Sequence, residues 1–181
     1  MKSKKLKLVL LLFAYLLLNN ATLTAFDKQT DGVVFKIQQE KSTDVKLLKI
    51  QICSEEIIRV IASPVDSLSS RASLMVEKKS WPPVEWTVRQ NEKWIIISTS
   101  KVEVKVDSTN GSVSFFEANG KQLLNERSSS GKIITAAEVM GEKTYHIQQL
   151  FDSPPDEAFY GLGAHQNNIM NYKGHDVDLW Q

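Results

Sequence analysis

The side chains of this sequence that could do chemistry gather toward one end. Glu157-Ala158-Phe159-Tyr160-Gly161-Leu162-Gly163-Ala164-His165-Gln166 is followed, a few residues on, by His175-Asp176-Val177-Asp178-Leu179-Trp180. Two histidines and two aspartates raise the question of a metal. On a strand Asp176 and Asp178 would share a face and His175 would point away. A chelating set then needs His165 to come round from a separate turn, and calcium asks for more oxygen ligands than the stretch offers. No metal is expected, and the two aspartates read as the solvated edge of a strand or loop. Gly161 and Gly163 form part of a dinucleotide fingerprint, but the third glycine, the following helix and the βαβ surroundings are missing, so no cofactor is expected either. Two such glycines suit a backbone bend or a close approach beside a cleft. Cleaving a glycosidic bond takes two carboxyl groups at matched distance on a rigid scaffold, and among many acids no such pair stands out. A Ser-His-Asp arrangement lacks its G-x-S-x-G elbow. Trp81, Trp86, Trp94 and Trp180 offer flat faces to sugar rings. For the first three, core packing is the ordinary fate; Trp180 belongs to the distinctive C-terminal stretch.

The elements that must position these groups are strands. Lys101-Val102-Glu103-Val104-Lys105-Val106 puts three valines on one face and three charges on the other, the pattern of a half-solvated antiparallel strand. Asn110-Gly111 then turns the chain into a return strand, Val113 to Phe116, and Asn119-Gly120 turns it again toward Leu123 and Leu124. Further short runs rich in β-branched and aromatic residues span 33–37, 45–53, 57–62, 94–99, 133–139 and 144–151. The serine- and proline-rich stretches 63–73 and 81–86 read as loops. No segment after residue 25 holds an amphipathic helical stripe over three turns, so the expected class is an all-β antiparallel β-sandwich. The sequon Asn110-Gly111-Ser112 is better explained by the hairpin turn than by glycosylation.

Residues 1–25 stand apart. Lys2, Lys4, Lys5 and Lys7 precede an apolar run from Leu8 to Leu18 and a small-residue stretch ending at Ala25, the plan of a signal peptide. The run is shorter than the ~20 residues that span a bilayer, and no transmembrane span is expected once it is removed. Removal takes four lysines and no acid, turning the net charge of +1 into −3 over residues 26–181. A mildly acidic chain with no basic face argues against nucleic acid. The expected destination is the periplasm or the extracellular space, where the single cysteine, Cys53, excludes an intramolecular disulfide and reads as a buried thiol. At 181 residues the chain has no room for a (β/α)8 barrel, which takes about 250.

The stretch 157–181, with Tyr160-Gly161-Leu162-Gly163 at its heart and Asn171-Tyr172-Lys173-Gly174 after it, resembles the N-terminal β-sandwich of glycoside hydrolase family 31, the α-glucosidases and α-xylosidases. The block 102–126 resembles the preceding part of that domain. The resemblance implies a galactose mutarotase-like sandwich over 26–181, incomplete at its C-terminal end, that packs on a downstream (β/α)8 barrel. In the family two barrel aspartates act as nucleophile and acid/base; the nucleophile's Trp-x-Asp-Met motif is absent here, so no catalytic residue is assigned. His165, Gln166, Asp176, Asp178 and Trp180 are the candidates for the near edge of the sugar pocket. The implied role is the non-catalytic portion of an exported retaining α-glycosidase acting on α-linked xylose- or glucose-containing oligosaccharides. The alternative is a free-standing exported sandwich that binds carbohydrate through Trp81, Trp86 and Trp180 without enzymatic activity. An incomplete sandwich would expose unpaired backbone and apolar surface and be marginally stable alone.

Overall fold

A computed structural model describes residues 26–71, 75–78, 80–128, 131–163 and 167–179. The signal segment, and His165, Gln166 and Trp180, lie outside the described residues. Eleven strands are found among the described residues and no helix. Phe26–Gln29 (β1), Gly32–Lys36 (β2), Leu47–Ile52 (β3) and Ile58–Ser63 (β4) form one antiparallel meander. Thr87–Asn91 (β5), Trp94–Ser98 (β6), Val102–Asp107 (β7), Val113–Glu117 (β8) and Gln122–Asn125 (β9) form a second, again in sequence order. Lys132–Val139 (β10) and Glu142–Gln149 (β11) pair as a long ribbon.

Side-chain alternation makes the two meanders a sandwich. Phe35, Leu48 and Ile50 from the first sheet and Ile95, Ile97, Val104, Val106 and Val113 from the second are sealed into one apolar cluster. The valines of β7 face inward as their spacing demands, with Val104 and Val106 fully buried. β6 departs from alternation because Ile96 is buried as well; its register sets it between Arg89 and Lys105, whose apolar stems can cover it. On the same face Glu103 joins those two cations, 3.1 Å from Arg89 and 3.4 Å from Lys105.

Both Asn-Gly turns form as expected, with Gly111 and Gly120 in left-handed backbone. Asn110 takes a structural part in its turn: its Oδ1 accepts from the Ser112 N–H and its Nδ2 donates to the Ser128 carbonyl. Gly32 is fixed by proximity, since a Cβ there would lie 2.0 Å from the Ile50 carbonyl oxygen across the β2–β3 pair. Cys53 is buried, and burial pushes its thiol pKa up. The stretches 64–71 and 80–86 form no strand.

Two strands were not foreseen, β1 and β5. Both are outermost in their sheets and are mostly polar and exposed, so neither carries the apolar alternation that marks the inner strands. Of the two settings expected for Asp176 and Asp178, the loop is the one found: residues 175–179 follow the Lys173–Gly174 turn as irregular backbone. Gly174 is left-handed there, and two aspartates in four residues offer little to a ladder.

Candidate functional site

The C-terminal segment is built from its own hydrogen bonds. Tyr172 is its anchor, a buried aromatic in a stretch of exposed residues. Its N–H donates to the Phe159 carbonyl at 2.8 Å and its carbonyl accepts from the His175 N–H at 3.0 Å. Its hydroxyl meets Asn167 Oδ1 at 3.2 Å. Asn171 Oδ1 accepts from both Phe159 N–H and Lys173 N–H, each at 3.0 Å, so one amide holds residues 159 and 171–173 side by side. Lys173 Nζ reaches back to the Pro154 carbonyl.

Between these clamps the chain reverses through Gly161, Leu162 and Gly163, with φ of 88°, 59° and 99°. Three successive left-handed residues are what the two glycines make possible, and Leu162 is carried into a region that side-chain-bearing residues avoid. The bend expected from the glycine pair is therefore present. It presents Phe159, Tyr160 and Leu162 to solvent, Tyr160 with 64% of its surface exposed. Asp176 and Asp178 lie exposed in the backbone that follows. Exposed aromatic side chains can stack on a hydroxyl-rich ligand, and exposed carboxylates can accept hydrogen bonds from it.

The segment leaves the sandwich at a single joint. Asp152 N–H donates to the Asn125 carbonyl at 2.9 Å, Asn125 Nδ2 donates to Asp152 Oδ2 at 2.6 Å, and Glu126 bridges Phe151. Behind the joint is a feature that the sequence did not advertise. Glu126 and Lys132 form an ion pair in which both side chains are at least nine-tenths buried. Glu126 Oε2 also accepts from the Val113 N–H at 2.9 Å, and Oε1 from Gln149 Nε2 at 3.1 Å. Lys132 Nζ donates in addition to the Gly111 carbonyl at 3.1 Å. Burial pushes the Lys132 pKa down, against the attraction of Glu126 that supports its charge. One carboxylate thus ties the start of β8, the end of β9 and the base of the β10–β11 ribbon. Only the six-residue spacing of an acid and a lysine across a serine-rich turn hinted at it.

Beyond that base the ribbon runs outward over solvent. Every residue of β11 is exposed, and Ile147 has 75% of its surface free. Together with Val60, Phe115, Leu124 and Phe151 it lines an apolar groove of about 220 Å³.

Residues 47–181 match the family described as the glycosyl hydrolase 31 N-terminal galactose mutarotase-like domain. A GH31 α-xylosidase from Xanthomonas citri superposes with a TM-score of 0.72 at 33% identity, over 85% of this chain and 16% of its own. A GH31 dextranase from Flavobacterium johnsoniae shares the fold at a TM-score of 0.57 and 23% identity, over 84% of this chain and 17% of its own. An isomaltosyltransferase of Sporosarcina globispora is 24% identical over 162 residues, which are 88% of this chain and 14% of that protein. The chain thus spans between about a seventh and a sixth of the length of these relatives. Its two meanders, its Tyr160-Gly161-Leu162-Gly163 bend and this match place it in one family: the chain belongs to the N-terminal galactose mutarotase-like domains of glycoside hydrolase family 31.

Proposed function

We propose that this chain is the non-catalytic N-terminal portion of an exported α-glycosidase. The whole protein removes α-linked xylose or glucose from oligosaccharides with retention, using two aspartates on a (β/α)8 barrel that the sandwich packs against. The observation that carries the reading is the 33% identity, at a TM-score of 0.72, to a GH31 α-xylosidase of which the matched part is 16%. Residues 1–25 act as the export signal, and the working compartment is the periplasm or the extracellular space. In this reading His165, Gln166, Asp176, Asp178 and Trp180 are the candidates for the near edge of the sugar pocket, where they position substrate and perform no bond cleavage.

The test is to read the locus past the codon for Gln181, express the continuous frame without residues 1–25, and assay it on aryl α-xyloside and aryl α-glucoside beside residues 26–181 alone. Hydrolysis by the longer product and none by the shorter is expected. A frame that encodes no barrel, or a longer product inactive on both substrates, overturns the reading.

A further inference from the structure

Two turns of the second sheet carry the same dipeptide, Asn110-Gly111 between β7 and β8 and Asn119-Gly120 between β8 and β9. Asparagine before glycine is reactive as well as turn-forming. The main-chain nitrogen of the glycine, once it gives up its proton, can attack the asparagine Cγ. A C–N bond forms, the Cγ–Nδ2 bond breaks, and ammonia leaves behind a five-membered succinimide. Water then opens the ring at either carbonyl. The net change consumes one water, releases one ammonia and leaves an aspartyl or isoaspartyl residue in place of the asparagine. Glycine favours the closure because it has no side chain to hinder the approach and its backbone turns freely. Of two chemically equal dipeptides, the fold decides which can reach that geometry.

At the first turn every group the reaction must move is held. Asn110 Oδ1 accepts from the Ser112 N–H and Nδ2 donates to the Ser128 carbonyl, each at 2.8 Å, so the amide is tied to a segment beyond β9. The attacking nitrogen, that of Gly111, donates to the Asp107 carbonyl at 2.8 Å, and the Gly111 carbonyl accepts from the buried Lys132 Nζ. Gly111 is itself buried. A Cβ built on it would lie 3.2 Å from Ile37 Cγ1 and 3.7 Å from Leu48 Cδ2, both in the common core. Bringing this nitrogen onto Cγ means opening the β7–β8 turn against the core and against the Glu126–Lys132 pair. The second turn is held only by itself. Asn119, Gly120 and Lys121 are exposed, and a Cβ on Gly120 would meet nothing within 4 Å. Asn119 Oδ1 accepts from the Lys121 N–H and Nδ2 donates to Glu117 Oε2, while the Gly120 N–H donates to the Glu117 carbonyl, all at 2.8 Å. These partners all belong to residues 117–121, and β9 beyond them is a four-residue edge strand. An exposed loop tip of this kind opens at little free-energy cost, whereas a turn sealed on the core opens only with larger parts of the fold.

We propose that Asn119 is a site of spontaneous deamidation in the folded chain, and that the fold protects Asn110. The product places a carboxylate at position 119 beside that of Glu117, which loses its amide donor, and in the isoaspartyl form the backbone between β8 and β9 is longer by one methylene. The reaction needs only water and residues of the second sheet, so it is independent of the proposed glycosidase. In the experiment the chain is incubated at mildly alkaline pH, folded in buffer and unfolded in guanidinium chloride, and conversion at each asparagine is followed by peptide mapping with tandem mass spectrometry. Unfolded, the two sites should convert at comparable rates. Folded, Asn119 should convert at least about tenfold faster than Asn110, a ratio equal to about 1.4 kcal/mol in barrier height. Folded Asn119→Gln, where closure would need a six-membered ring, should release ammonia more slowly than the unsubstituted chain. Equal conversion of the two sites in the folded chain, a ratio that unfolding leaves unchanged, no conversion at Asn119 over the time in which the unfolded chain converts, or ammonia release unaltered by Asn119→Gln would each overturn the proposal.

Discussion

Replacing Glu126 by leucine should be among the most damaging single changes available to this chain. The side chain sits 4% exposed, and its loss leaves Lys132, 9% exposed, without its counter-charge. It also strips the acceptor from the Val113 N–H and from one of the two bonds made by Gln149 Nε2. Breaking a buried ion pair by removing one partner costs about 3–5 kcal/mol, because the survivor is an unpaired buried charge. A domain of this size is stable by roughly 8–20 kcal/mol at ordinary values per residue, so the change consumes a large part of the total. Lys132→Met should cost a similar amount, since it strands the carboxylate. The double variant removes both charges and should lose only about 0–2 kcal/mol, giving a coupling energy of at least about 4 kcal/mol. Urea unfolding of the four proteins, followed by tryptophan fluorescence, measures it. The pH dependence of stability near the Lys132 titration gives a second measurement. The folded-state pKa of Lys132 is below its unfolded value, so the unfolded chain binds more protons in that interval and stability rises with pH across it. Glu126→Leu lowers the folded value further and widens the interval. Single variants costing less than about 1 kcal/mol, or strict additivity in the cycle, would refute the assignment of Glu126 as a buried organiser.

Gly32→Ala should destabilise the chain by about 2–4 kcal/mol, since its Cβ would meet the Ile50 carbonyl oxygen at 2.0 Å and the pair of strands must part to admit it; a urea midpoint shift equivalent to less than about 1 kcal/mol would contradict the register. Asp107 is pushed up by burial but held below its ordinary pKa by bonds from Lys93 and Thr109. Its stabilisation is present above the unfolded value near 3.9 and is lost as pH falls through the lower folded value, so Asp107→Asn should flatten the acid limb of urea midpoints, and an unchanged limb counts against it. Cys53 should resist thiol reagents at neutral pH and react once urea unfolds the chain, because it is buried and its pKa is raised; rapid labelling of the folded chain would place it elsewhere.

The inner strands were legible because their pattern reports their environment. The valines of β7 and the turn residues at 110–111 and 119–120 say which face is wet and where the chain reverses, and the structure follows them. β1 and β5 escaped notice for the reason that makes them edges: Asp27-Lys28-Gln29 and Arg89-Gln90-Asn91 face water on most sides, and composition there is tuned to solubility more than to packing. The glycine bend at 161–163 could be foreseen, whereas the amide clamps of Asn167 and Asn171 could not, because asparagine in a loop has too many local partners for spacing to choose among them. The Glu126–Lys132 pair was hidden for a different reason. A sequence shows charge but not burial, and these two read as ordinary members of a turn.

That hidden pair also decides how the fold reaches its candidate site. Among the described residues, those from Gly131 onward are tied to the sandwich by a few bonds: Arg127 to Leu150, Asp152 to Asn125, the Ile134 N–H to the Thr43 carbonyl, and the Glu126 cluster. The ribbon contributes Ile134 to the common core, while β11 lies in solvent along its whole length. A two-stranded ribbon is marginal by itself in water, so its direction is set at its base, where one carboxylate organises three elements. The 152–163 stretch leaves the same base and carries the Tyr160–Gly163 bend at its end. Placing a buried charge at that joint costs desolvation, but it makes the geometry all-or-none: with Lys132 bound the base has one arrangement, and with Lys132 free it has none that satisfies the buried groups. Apolar contacts could have made the joint as strong. A hydrogen-bonded pair with fixed directions makes it aim the segment, which is what a loop expected to stand at the edge of a sugar pocket requires.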